Sequence, residues 1–225
     1  RLEYQEAREK NARKRGKKSF SGLDFIRDNG APMDWESYTA VTPSFIGNKT
    51  IHDYPLAKIR ERIDWTPFFI TWELHGKFPG ILTDEVVGEE ASSLYRDAQV
   101  MLDKIVDEKL LSCHASIGFY PAAAVAGDST ELYVDDGRTE VLATLHHLRQ
   151  QTQRPAGRAF RSLADFVAPK DGAVKDYMGG FVVTCKGAEE LAKHYEGQLD
   201  DYNAILVKSL ADRFAEAFAE LMHEE

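Results

Sequence analysis

Apolar residues recur at helical spacing over residues 84–111, where Val87, Ala91, Leu94, Ala98, Met101, Leu102, Ile105 and Val106 fall on one face. That periodicity predicts one long amphipathic helix. The pattern then changes to short runs. Ala115 to Ala122 reads as a strand ending at Pro121, Glu131 to Val134 as a second, and Glu140 to Leu145 as a third. The turn at Asp135-Asp136-Gly137 joins the last two as a hairpin. Leu163–Ala168 and Gly180–Cys185 supply one more turn and one more strand, and residues 187–225 read as helical to the last residue. Upstream, Asp53 to Arg62 suits a helix with Pro55 in its first turn. Residues 1–16 read as a helix ended by Gly16. Residues 17–50 have no period and carry turn signals at residues 29–32 and 46–48, so they are expected to form an irregular arm over the body. Few hairpin-joined strands between long helices point to an α+β fold with an antiparallel sheet.

The stretch from Ile63 to Pro79 breaks the amphipathic rule. Trp65, Phe68, Phe69, Trp72 and Phe78 crowd it, and one acid, Asp64, stands at the head of the apolar run. Aromatic side chains carry the largest burial payload, so the stretch belongs inside the fold. A carboxylate beside such a surface needs a partner. Either a helix or loop backbone satisfies Asp64, or a cationic ligand does.

Composition narrows the class. The 225 residues are 43% hydrophobic and 29% charged, enough for one large domain or two small ones with a real core. No apolar run approaches the length of a membrane span, and no apolar segment follows the basic N-terminus as a signal peptide requires. The two cysteines, Cys113 and Cys185, are far apart and sit in no metal-ligand spacing, which argues for a reducing, cytoplasmic compartment and against structural zinc. The net charge of −9 is uneven. Residues 1–18 hold eight Lys and Arg against three Glu, which leaves the remainder strongly acidic. The basic run Lys14-Arg15-Gly16-Lys17-Lys18 reads better as a solvated connector than as a nucleic-acid contact, because the acidic body repels phosphate.

Candidate chemistry is sparse. Asp212, Glu216 and Glu220 are spaced i, i+4, i+8, which stacks three acids on one helix face with alanines around them. The face has two readings: carboxylates that bind a cation, or a solvated surface with Arg213 as local counter-charge, the second being favoured. The adjacent His146 and His147 follow a strand and point to opposite sides, a poor chelating pair. Arg149-Gln150-Gln151 offers a row of donors for backbone carbonyls or a carboxylate. Phosphate-binding and nucleophile-elbow motifs do not occur, so no catalytic or metal residue is assigned.

Longer motifs carry a resemblance. Ile63-Asp64-Trp65-Thr66-Pro67-Phe68-Phe69, Asp84-Glu85-Val86-Val87-Gly88, Gly118-Phe119-Tyr120-Pro121-Ala122, His146 to Gln151, Leu163 to Pro169, Asp200-Asp201-Tyr202 and Ala211 to Ala217 together resemble the C-terminal activation domain of cobalamin-dependent methionine synthase. The resemblance implies a twisted antiparallel sheet flanked by long helices, with residues 19–225 as the activation domain and residues 1–18 as a basic helical connector. It implies a role inside a methyltransferase: binding S-adenosylmethionine for reductive methylation of cob(II)alamin, with cobalamin held by a neighbouring domain of the same enzyme and the electron supplied by flavodoxin or a reductase. It also implies that Asp64 and Glu216 contact the methionine part of S-adenosylmethionine. The family continues into an Arg-x-x-x-Gly-Tyr-x-Ala-Cys-Pro segment and a later Tyr, neither of which occurs in residues 1–225. The chain is therefore expected to be C-terminally truncated, and alone to bind S-adenosylmethionine weakly or not at all. Two other readings stay open: a docking module for the cobalamin domain or an electron-transfer partner, without a small-molecule site, and a free-standing relative with a new ligand.

Overall fold

The computed structural model describes residues 4, 5, 8, 9 and 19–225. The connector assigned to residues 1–18 lies outside the described residues, apart from four exposed positions whose backbone is helical: Tyr4, Gln5, Arg8 and Glu9. From residue 19 onward the elements are α1 (Leu23–Asp28), β1 (Gly47–Ile51), α2 (Leu56–Arg60), α3 (Trp65–Thr71), a 3-10 turn (Gly80–Thr83), α4 (Gly88–Asp107), β2 (Ser112–Val125), β3 (Ser129–Tyr133), β4 (Val141–His146), a second 3-10 turn (Leu163–Phe166), β5 (Asp176–Lys186), α5 (Ala188–Glu196) and α6 (Asp201–Glu224). The sheet runs β1-β2-β3-β4, and β5 also pairs with β2. This is the α+β class expected from the pattern. The described residues group into two units: those up to Gly47 with Phe119–Gly179, and Asn48–Gly118 with Gly180–Glu225.

The second unit is helix-rich. The helical period read over residues 84–111 becomes α4, whose Ala91, Leu94, Ala98, Met101, Leu102 and Ile105 are all buried. α6 buries Leu206, Leu210, Phe214 and Phe218 and packs against α2, α3, α4 and α5. The aromatic stretch closes this core. Phe68 and Phe69 are fully buried, and Trp65 meets Tyr95 edge-on with ring centres 4.8 Å apart. Each such side chain contributes about 1.5–3 kcal/mol on burial. Among the described residues no helix is long and apolar enough to cross a membrane.

The final helical stretch is two helices, not one. Leu199 adopts φ +59°, and Asp200 then caps a new helix by accepting from the Asn203 N–H at 3.0 Å. A left-handed residue followed by an Asp cap is a helix end and a helix start in four residues.

The first unit is the β-meander. β2 pairs antiparallel with β3 from Ala122↔Leu132 to Val125↔Ser129, and β3 with β4 from Ser129↔His146 to Tyr133↔Val141. The Asp-Gly hairpin falls where the sequence placed it. The arm at residues 17–50 is more regular than expected, because it contains α1 and ends in β1. α1 is only six residues long and buries one side chain, Ile26, too short a signal for periodicity to register. The arm is pinned to its own unit: the Phe160 N–H donates to Asn29 O at 2.8 Å and the Ala31 N–H to Asp165 Oδ2 at 3.2 Å.

Candidate functional site: two carboxylates of the helical unit

Asp64 is the N-cap of α3. Its Oδ1 accepts from the Thr66 N–H at 2.9 Å, satisfying one of the donors that a helix start leaves unpaired. Pro67 sits in the first helical turn, where a missing N–H costs nothing. Thr66 in turn accepts from the Phe78 N–H at 3.3 Å through its hydroxyl, tying the cap to the far end of the aromatic stretch. The question raised by the sequence has a backbone answer for one oxygen. The carboxylate is nonetheless exposed, and among the described residues Oδ2 accepts no hydrogen bond. A cap on rigid aromatic packing is a fixed anion with one free face.

Glu216 lies on the exposed face of α6 with Asp212 and Glu220, opposite Phe214 and Phe218. Its Oε2 accepts from Arg213 Nη1 one turn earlier, so the counter-charge reading is correct for this residue in the absence of a ligand. The side chain is half exposed, and pairs at such positions are worth under about 1 kcal/mol, so a tighter cation displaces Arg213 at small cost.

The structure places Asp64 and Glu216 in the same unit, on segments that pack together, without bringing the carboxylates into contact. Arg62, two residues before Asp64, holds Glu224 of α6 through Nε at 2.9 Å and Nη2 at 3.1 Å. At the other end of α3, Trp72 packs on Tyr202 of α6 with ring centres 5.3 Å apart. The Trp72 Nε1 is buried and has no hydrogen-bond partner among the described residues. Burial, then the 2.7 Å bond to Asp97, pushes the Tyr202 phenol up to about 12. It remains a neutral donor across the physiological range.

The other candidate groups are structural. His146 Nδ1 meets Ser129 Oγ at 2.9 Å and His147 Nε2 meets Thr130 Oγ1 at 3.0 Å, each held by a hydroxyl of β3. Among the described residues no group of three or more His, Cys, Asp or Glu is arranged to hold a metal ion. Arg149 reaches Asp128, Asp165 and the Phe160 carbonyl, so its donors orient carboxylates and a carbonyl inside the first unit. Sequence reasoning did not find these partners, because Asp128 and Asp165 stand 21 and 16 residues away. It also missed the approach of Cys113 and Cys185, which stand 72 residues apart in the chain.

Two fixed acids on one unit can hold a ligand with two separated positive centres, through charge-assisted hydrogen bonds and ion pairing. The family described as "Vitamin B12 dependent methionine synthase, activation domain" matches residues 55–225. A solved structure described as the MetH reactivation domain bound to AdoHcy is 48% identical, with a TM-score of 0.87, over 91% of this chain. This chain spans 62% of the length of that one.

Proposed function

The chain belongs to the activation-domain family of vitamin B12-dependent methionine synthase, and from that premise we propose that it binds S-adenosylmethionine for the reductive methylation of cob(II)alamin. The observation that carries the reading is the 48% identity, over nearly the whole chain, to a reactivation domain solved with AdoHcy. AdoHcy is what S-adenosylmethionine becomes when its sulfonium loses the methyl group. A site that holds the one has the shape for the other.

In this proposal Asp64 and Glu216 pair with the positive centres of the methionine part. Asp64 keeps Oδ1 on the Thr66 N–H and offers Oδ2, so the cap and the ligand contact use different oxygens. Glu216 exchanges Arg213 for the ligand. The packed aromatic stretch holds Asp64 in place without cost at the moment of binding. The reaction adds one electron and the sulfonium methyl to cob(II)alamin and releases S-adenosylhomocysteine. Cobalamin is bound by a neighbouring domain of the same enzyme, and the electron comes from flavodoxin or a reductase.

The test is spectroscopic. The whole enzyme in the cob(II)alamin state is given S-adenosylmethionine and reduced flavodoxin, and return of the methylcobalamin spectrum is followed. Asp64→Asn is expected to slow that return at least tenfold at limiting S-adenosylmethionine, while turnover of enzyme that is already methylated is unchanged. An unaffected rate of return in Asp64→Asn and Glu216→Gln overturns the assignment.

A further inference from the structure

Cys113 and Cys185 are the only cysteines in the 225 residues, and the fold sets them side by side. β5 pairs with β2. At the end of β5, a Cβ added to Gly187 would lie 2.7 Å from Leu110 O and 3.5 Å from Leu111 Cα, so residue 187 faces residue 111. Two residues back along β5 and two forward along β2, the thiols of Cys185 and Cys113 hydrogen-bond. The two cysteines therefore oppose each other across antiparallel strands. Directly opposed residues have Cα atoms about 4.5–5.5 Å apart, inside the roughly 4.4–6.8 Å range that a disulfide spans.

We propose that Cys113 and Cys185 form a reversible dithiol–disulfide site, with Cys185 as the attacking thiol and Cys113 as the resolving one. The division follows from burial. Cys113 has no exposed surface and packs in the helical unit's core, whereas Cys185 is half-buried and within reach of a small oxidant. The shared hydrogen bond works in the same sense: it pushes the Cys113 thiol up, with burial adding to it, and pulls the Cys185 thiol down against burial and the field of Asp212. Cys185 is the more readily ionised of the two, and the thiolate is the nucleophile.

The oxidant is a low-molecular-weight disulfide. The Cys185 thiolate attacks one of its sulfurs, forming a mixed disulfide and expelling a small thiolate, which takes up the Cys185 proton. The Cys113 sulfur then attacks Cys185 Sγ, and the second small thiolate leaves with the Cys113 proton. Two protein thiols and one small disulfide give one protein disulfide and two small thiols. The bond would lie beside α6, where Asp212 stands one turn before Glu216. This inference is independent of the ligand proposed above.

The test treats the full chain with oxidised glutathione under native conditions, quenches in acid, and reads intact mass and alkylatable thiols. The wild type is expected to lose the mass of two hydrogens, retain no glutathione, and regain both thiols with dithiothreitol. Cys113→Ala is expected to trap one glutathione on Cys185, and Cys185→Ala to leave Cys113 unmodified. A wild type that keeps a stable glutathione adduct, keeps both thiols free, or oxidises only between chains overturns the proposal. The wild-type mass decides the matter even where a variant folds poorly.

Discussion

Arg149 and Asp165 meet as a two-pronged pair: Nη1 donates to Oδ2 at 2.9 Å and Nη2 to Oδ1 at 2.5 Å. Arg149 Nε donates at the same time to Asp128 Oδ1 at 2.8 Å. The three side chains are 6%, 10% and 8% exposed, and Arg27 Nε donates to Asp128 Oδ2 at 3.1 Å, so two cations serve two buried anions. Asp165 also accepts from the Ser162 N–H and the Ala31 N–H, which makes it the point where the arm, the second 3-10 turn and the segment following β4 converge.

Replacing Arg149 with Met leaves Asp165 buried without its cation and Asp128 with only the partly exposed Arg27, and removing one partner of such a network costs about 3–5 kcal/mol. Denaturant unfolding of Arg149→Met is expected to show a loss of that size. Arg149→Lys is expected to lose less, because it keeps the charge and gives up the fork.

The same network sets an acid limit. Burial pushes Asp165 and Asp128 up, but hydrogen bonds from Arg149 and the Ser162 and Ala31 N–H groups at Asp165, and from Arg149 and Arg27 at Asp128, outweigh it, and both carboxyls are held below the ordinary carboxylate range. A lowered folded value means the stabilisation is complete above the unfolded value of about 3.9 and disappears as pH falls through the folded one. Stability curves between pH 6 and pH 2 are expected to steepen below about pH 4, and less so in Asp165→Asn.

At Asp64 two substitutions separate scaffold from ligand. Asn caps a helix as well as Asp, whereas Ala forfeits about 1 kcal/mol. Asp64→Asn is therefore expected to keep the wild-type melting temperature and Asp64→Ala to lower it by a few degrees.

Gly187 has φ +98°, and a Cβ there would press on the Leu110 carbonyl oxygen, a backbone atom that cannot swing aside. Gly187→Ala is expected to destabilise by more than the roughly 1–2 kcal/mol of the left-handed conformation alone. Thermal unfolding checks it against Gly180→Ala, where nothing stands in the way.

Long periodic elements were legible in the sequence: α4, the β3–β4 hairpin and the burial of Trp65, Phe68 and Phe69 follow from spacing and size alone. α1 and the break at Leu199 were not, because six residues with one buried side chain, or a single left-handed residue, leave almost no pattern. Of the candidate site, spacing exposed Glu216 as one of three stacked acids and Asp64 as an acid in need of a partner. That Asp64 would cap α3 with one oxygen and leave the other free is a matter of backbone geometry. The long-range pairs, Arg149 with Asp165 and Cys113 with Cys185, depend on chain topology and had no local signature.

The central claim is that Asp64 and Glu216 hold one cationic ligand. Calorimetric titration with S-adenosylmethionine, on the whole enzyme as wild type and as two variants, tests it most directly. Asp64→Asn and Glu216→Gln are each expected to weaken binding at least tenfold, about 1.4 kcal/mol, with the fold intact. Binding that is undetectable in the wild type, or equal in both variants and the wild type, contradicts the claim.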